Sequence, residues 1–187
     1  MIKKTLLIFI LLLLPVYSSS CSKDYPSDHT IFTLVVENEE VIVNAVMELL
    51  ELETVSTIAF ISTTQKSPIS ASDYEDIEGL YAGMHVDGNY IYVAMSNAAI
   101  EEMMKIRKLE SVYVYRDRLQ FNCGGRGIIP ASINYGFVYA ESDGFIGIGT
   151  QGVTEKGNGW LWREENGDNR YYTEKIIDYF YYYEARY

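Results

Sequence analysis

Three dipeptides in this chain, Asp87-Gly88, Asp143-Gly144 and Asn166-Gly167, stand between runs of alternating apolar and aromatic residues. Both central positions of a type I′ turn need positive φ, which Gly adopts freely and Asn or Asp tolerates. Each dipeptide therefore predicts a hairpin. The strands would be Leu80–Val86 with Asn89–Met95, Tyr135–Glu141 with Phe145–Gly149, and Trp160–Glu164 with a long strand over Arg170–Tyr183. Val112–Tyr115 and Arg118–Cys123 read as further strands, with Leu119, Phe121 and Cys123 on one face. At the last hairpin a two-residue turn would set Arg163 opposite Arg170, an unfavourable cross-strand pair. A three-residue loop ending in Gly167 sets Trp162 opposite Arg170 and Trp160 opposite Tyr172, and this second register is expected.

The first half carries helical periodicity instead. Over residues 39–53, Asn44, Glu48 and Glu51 form one narrow polar stripe. Val41, Ile42, Ala45, Val46, Leu49, Leu50 and Leu52 cover the rest, which predicts a helix buried on most sides. A second helix is expected from Ser96 as N-cap to about Leu109. Ala99, Ile100, Met103, Met104 and Ile106 would face inward, with Glu101, Lys105 and Lys108 outside at ion-pairing distance. The β-branched run Ile31–Val36 reads as a first strand, Thr57–Ile61 as another, and residues 62–76 as a loop. The fold class that follows is α+β: a mostly antiparallel sheet with two main helices in the N-terminal half.

The N-terminus has the layout of an export signal. Lys3 and Lys4 precede an unbroken apolar run from Leu6 to Leu14, then Pro15 and the small residues Ser18, Ser19 and Ser20. Nine apolar residues fall far short of the roughly 20 that span a bilayer. Cys21 follows directly. A cysteine in that place resembles the lipobox of bacterial lipoproteins, although Ser18 stands where that family usually has Leu. The resemblance implies a signal peptide over residues 1–20, cleavage before Cys21, and acyl chains such as palmitate on its sulfur. Residues 21–29 would be a tether and residues 30–187 a single domain. Ser22, Lys23 and Asp24 are similar to sorting signals for the outer membrane. The implied address is the cell envelope, on the periplasmic or the outer face of that membrane. The globular part carries no motif that places it in a family.

Loss of residues 1–20 removes two lysines and no acid, so the formal charge goes from −11 to −13. Such a surface repels nucleic acid and anionic headgroups, which leaves the lipid anchor as the membrane contact. With Cys21 acylated, Cys123 is left as a small buried hydrophobe.

Catalytic residues are not identifiable in the sequence. His29 and His85 are the only histidines, with no second ligand at metal-binding spacing, so neither a metal nor a cofactor is implied. Gly124-Gly125-Arg126-Gly127 lacks the Lys-Ser/Thr of a phosphate loop and reads as a turn. Asp73, Glu75, Asp76 and Glu78 lack the calcium-loop order and read as a solvated acidic loop.

Tyrosine is the feature left over, at 17 residues. Trp160, Trp162, Tyr171, Tyr172, Tyr179, Tyr181 and Tyr183 form the candidate binding surface, because such rings stack on sugars and anchor protein contacts. Alternation puts Tyr179, Tyr181 and Tyr183 on one face of their strand, and Phe180 and Tyr182 on the other. The competing role is cross-strand packing alone. The function expected is a binding domain for a protein or glycan ligand. A small glycan-directed hydrolase and an acidic inhibitor of a basic protein are the alternatives.

Overall fold

A computed structural model describes residues 28–53, 58–63, 77–87, 89–126, 132–141 and 152–187. Three helices, α1 (Asp28–Glu37), α2 (Glu39–Glu53) and α3 (Ala98–Met104), accompany ten strands in one antiparallel sheet. The strands are β1 (Ile58–Thr63), β2 (Leu80–Val86), β3 (Asn89–Ala94), β4 (Ser111–Tyr115) and β5 (Arg118–Arg126). They continue as β6 (Ile133–Tyr139), β7 (Val153–Lys156), β8 (Gly159–Arg163), β9 (Arg170–Ile177) and β10 (Phe180–Arg186). Their order across the sheet is β3-β2-β1-β4-β5-β6-β10-β9-β8-β7. The α+β class and the antiparallel sheet are as the turn signals require.

All three helices pack on one face. Ile31, Leu34 and Val35 of α1, Ile42, Ala45, Val46 and Leu49 of α2, and Ile100, Met103 and Met104 of α3 share a core with Ile61, Val112, Leu119, Phe121 and Phe137 of the sheet. Cys123 is buried in that core, on the strand face expected for it. The stacked rings of Phe121 and Phe137, with centroids 4.4 Å apart, mark its centre.

Several expectations are corrected. Ile31–Val36 is not a strand but most of α1. Its buried residues 31, 34 and 35 follow helical spacing, and burial of that stripe outweighs the β preference of Ile, Thr and Val. Thr33 fits because its hydroxyl donates to the carbonyl of His29, at 2.9 Å. Among the described residues α1 thus joins the two expected helices. Helix α2 has the expected limits, but Val43 and Met47 widen its solvent face beyond the polar stripe.

Helix α3 is shorter than expected. Its N-cap is Asn97 rather than Ser96: the Asn97 side-chain oxygen accepts from the Ile100 N–H, and its amide donates to Glu48 of α2 at 2.8 Å. The chain tightens into i→i+3 turns after Met104, and Lys105 pairs with Glu102 rather than Glu101.

The hairpin at Asp87 closes as expected, with Val86 opposite Asn89 and φ of 49° at Asp87. The hairpin at Asp143-Gly144 lies outside the described residues, as do residues 1–27 and Asp73, Glu75 and Asp76 of the acidic loop. Glu78 is described and exposed.

The last hairpin takes the register not expected. Arg163 faces Arg170, Trp162 faces Tyr171 and Trp160 faces Thr173. Both arginines are exposed, so water screens their repulsion. The alternative is a one-residue slip that would turn Leu161 out of the core and the two tryptophans into it. The long strand over 170–183 is in fact two, β9 and β10, joined by a tight turn at Asp178-Tyr179 with φ of 65° at Tyr179. Gly124 and Gly125 belong to β5, where the register shifts between Asn122 and Gly125 and Gly124 has φ of 135°.

Candidate functional site

Among the described residues no helix lies on the opposite face of the sheet, yet much of that face is buried. A second core of Val138, Ala140, Tyr171, Tyr181, Tyr183 and Ala185, with Trp162 packed against it, is separate from the one under the helices. Cross-strand register shows how the face is built. Tyr81, Ser62, Ser111, Asn122, Gly136, Tyr183, Thr173 and Trp160 follow one another in a row from β2 to β8. The next row runs Tyr92, Gly83, Phe60, Tyr113, Gln120, Val138, Tyr181. Small residues at the middle of the first row leave room for the large rings beside them. At Gly136 a Cβ would strike the Phe121 carbonyl oxygen, so only glycine lets β5 and β6 approach there.

Of the sequence candidates, Trp160, Trp162, Tyr171, Tyr181 and Tyr183 share this face. Tyr171, Tyr181 and Tyr183 are buried in its floor, whereas the two tryptophans are half-buried. Tyr172 points to the helix side, edge-on to Tyr182, with its hydroxyl donating to Glu174 at 2.7 Å. Tyr179 lies in the β9–β10 turn, exposed, beside Tyr139. The structure therefore brings five of the seven together and separates two. An exposed strip of Tyr179, Tyr181 and Tyr183 is not what the chain builds, because strand β10 is covered on both faces.

The residues that complete the face were not singled out in the sequence. Arg118, Gln120 and Asn122 alternate with the core residues Leu119, Phe121 and Cys123 along β5, so they project from the helix-free side. That alternation was the available signal. The Arg118 guanidinium carbon stands 4.5 Å over the ring of Tyr115, its cross-strand neighbour. One terminal nitrogen contacts Asp117 at 3.2 Å, and the side chain is 17% exposed. Its Nε is buried with no hydrogen-bond partner. The Tyr183 hydroxyl donates to the Asn122 side-chain oxygen at 3.2 Å, and its ring lies parallel to that of Tyr171, 5.8 Å away.

The Arg118 charge acts on the hydroxyls of both Tyr115 and Tyr171, favouring their ionised forms. Burial dominates nevertheless. It raises the phenols of Tyr113, Tyr115, Tyr171 and Tyr183 above the ordinary tyrosine value. At neutral pH they are therefore neutral hydroxyls, suited to give and accept hydrogen bonds and unsuited to act as bases. Around them Tyr115 and Tyr187 form an exposed rim.

An open groove of about 500 Å³ lies between α1 and the turn after α3. Its lining includes His29, Glu37, Arg107 and Lys108. Among the described residues no three His, Cys, Asp or Glu side chains converge as a metal site, and no helix is long and apolar enough to cross a membrane. No protein-family model, curated protein or solved structure matches this chain.

Proposed function

We propose that this chain is an envelope lipoprotein whose domain binds a glycan bearing a carboxylate, on the face of the sheet opposite the described helices, around Arg118. The observation that carries this reading is the state of the guanidinium. It is largely withdrawn from water and stacked on Tyr115, and its Nε has no acceptor. One terminal nitrogen is taken by the exposed Asp117, which leaves the Nε edge with donors for a further carboxylate, a group that a guanidinium holds through two parallel hydrogen bonds. The exposed rings of Tyr115 and Tyr187 offer surface to a sugar, and Gln120 and Asn122 add polar groups. The raised phenols supply neutral hydrogen-bonding groups.

The test is a titration of the full chain with uronate-bearing oligosaccharides, their neutral counterparts and acidic peptides, followed by tryptophan fluorescence. Trp162 lies opposite Tyr171 and serves as the reporter. Saturable change with the acidic sugar, weakened at least tenfold by Arg118→Ala and unchanged by Lys108→Ala, supports the reading. Saturation only by peptides, or none at all, would overturn it.

A further inference from the structure

The Arg118 guanidinium has two unequal neighbours. Strands β4 and β5 pair Tyr115 with Arg118, so Arg116 and Asp117 alone make the turn between them. The guanidinium carbon stands 4.5 Å over the Tyr115 ring, and the Arg118 side chain is 17% exposed, against 73% for Asp117. Both carboxylate oxygens of Asp117 lie 3.2 Å from one terminal nitrogen, Nη1. A strong charge-assisted bond is shorter, roughly 2.7–2.9 Å, and in the strong fork two guanidinium nitrogens hold the two oxygens. The ring therefore fixes the cation, while the acid, mostly in water, holds it loosely.

We infer, on the reading that Arg118 anchors the ligand, that Asp117 is a built-in competitor for that cation. It lowers the affinity for every anion, and most for a doubly charged phosphate group, so that the site selects a singly charged carboxylate.

The charges give the direction. Asp117 balances the positive charge of Arg118, so an arriving anion meets a pair that is nearly neutral as a whole. A carboxylate is still favoured there, because its two oxygens match the donors of the Nε edge. A phosphate monoester carries close to two charges above its second ionisation, and near a neutral pair the extra charge brings it no advantage. Without the acid, the field of Arg118 acts in full, and the gain grows with the charge of the ligand. Exposure decides which partner yields. Asp117 can turn into water, whereas Tyr115 covers the guanidinium and keeps it in place.

The full chain and Asp117→Asn are each titrated with a uronate-bearing oligosaccharide and with a neutral oligosaccharide carrying one phosphate monoester. The titrations are run at about pH 8, where the phosphate is doubly charged. Asn has nearly the size of Asp and suits a turn, and near-ultraviolet circular dichroism checks that the fold is kept. Asp117→Asn should bind the uronate about threefold more tightly and the phosphate about tenfold, roughly the square, as the doubled charge requires. Asp117→Glu, which restores the charge, should return both affinities to those of the parent chain. Glu40→Gln, an equal change of net charge at an exposed position on α2, should move neither. If the parent chain binds the uronate and Asp117→Asn binds both sugars no better, the competitor falls and the site at Arg118 stands. If Glu40→Gln has the same effect as Asp117→Asn, net charge is the cause and the competitor falls again. If no chain binds the uronate, the site itself falls, and the competitor with it.

Discussion

Arg118 and Tyr183 show how one side chain can belong both to a fold and to a site. Tyr183 is buried in the second core, and its hydroxyl donates to the Asn122 side-chain oxygen. Burial, more than its neighbour Tyr171, raises its ionisation far above that of an exposed tyrosine. In the unfolded chain the same phenol ionises near pH 10. Below that pH both states keep the proton and stability does not change. Above it the unfolded chain loses the proton and the folded chain keeps it, so stability falls as pH rises. Tyr171, raised chiefly by burial and partly countered by Arg118, adds in the same direction. Tyr183→Phe should cost about 1 kcal/mol at pH 7, the ordinary loss of one hydrogen bond. It should also make the decline between pH 10 and 11.5 less steep. Urea unfolding at a series of pH values measures both, and an unchanged alkaline slope would contradict the assignment of Tyr183 as a buried phenol.

At the scale of elements, legibility followed the strength of local signals. Helix α2 was readable because fifteen residues carry a continuous apolar pattern, and the β2–β3 hairpin because Asp87-Gly88 leaves few alternatives. Helix α1 was misread because its β-branched residues speak locally for a strand, while its partners on β6, β9 and β10 lie a hundred or more residues away. The β9–β10 turn was missed because Asp178-Tyr179 contains no glycine. Its positive φ falls on a tyrosine, and β pairing on both sides of β10 holds the turn in place. The site was legible only in part. Tyrosine and tryptophan abundance pointed to aromatic surfaces, but the choice between floor, rim and opposite face depends on register, which the Arg163–Arg170 argument misjudged. One small residue now stands out as setting the sheet geometry. Gly136→Ala pushes a methyl into the Phe121 carbonyl at the β5–β6 contact, where backbone must move to admit it. A loss of about 3 kcal/mol is expected in chemical unfolding. A loss below about 0.5 kcal/mol would mean that β5 and β6 are further apart than described.

At the scale of the whole molecule, the anchor proposed for Cys21 decides where the chain is held. Nothing among the described residues provides a spanning helix, and an acidic surface has little attraction for anionic headgroups. Membrane retention then rests on the acyl chains proposed for Cys21, at about 0.8 kcal/mol for each buried methylene. Cys21→Ser alone should move the chain from the membrane fraction to the soluble fraction of broken cells. A Cys21→Ser chain that stays in the membrane fraction removes the anchor, because with no acyl chain an acidic surface has nothing to hold it there.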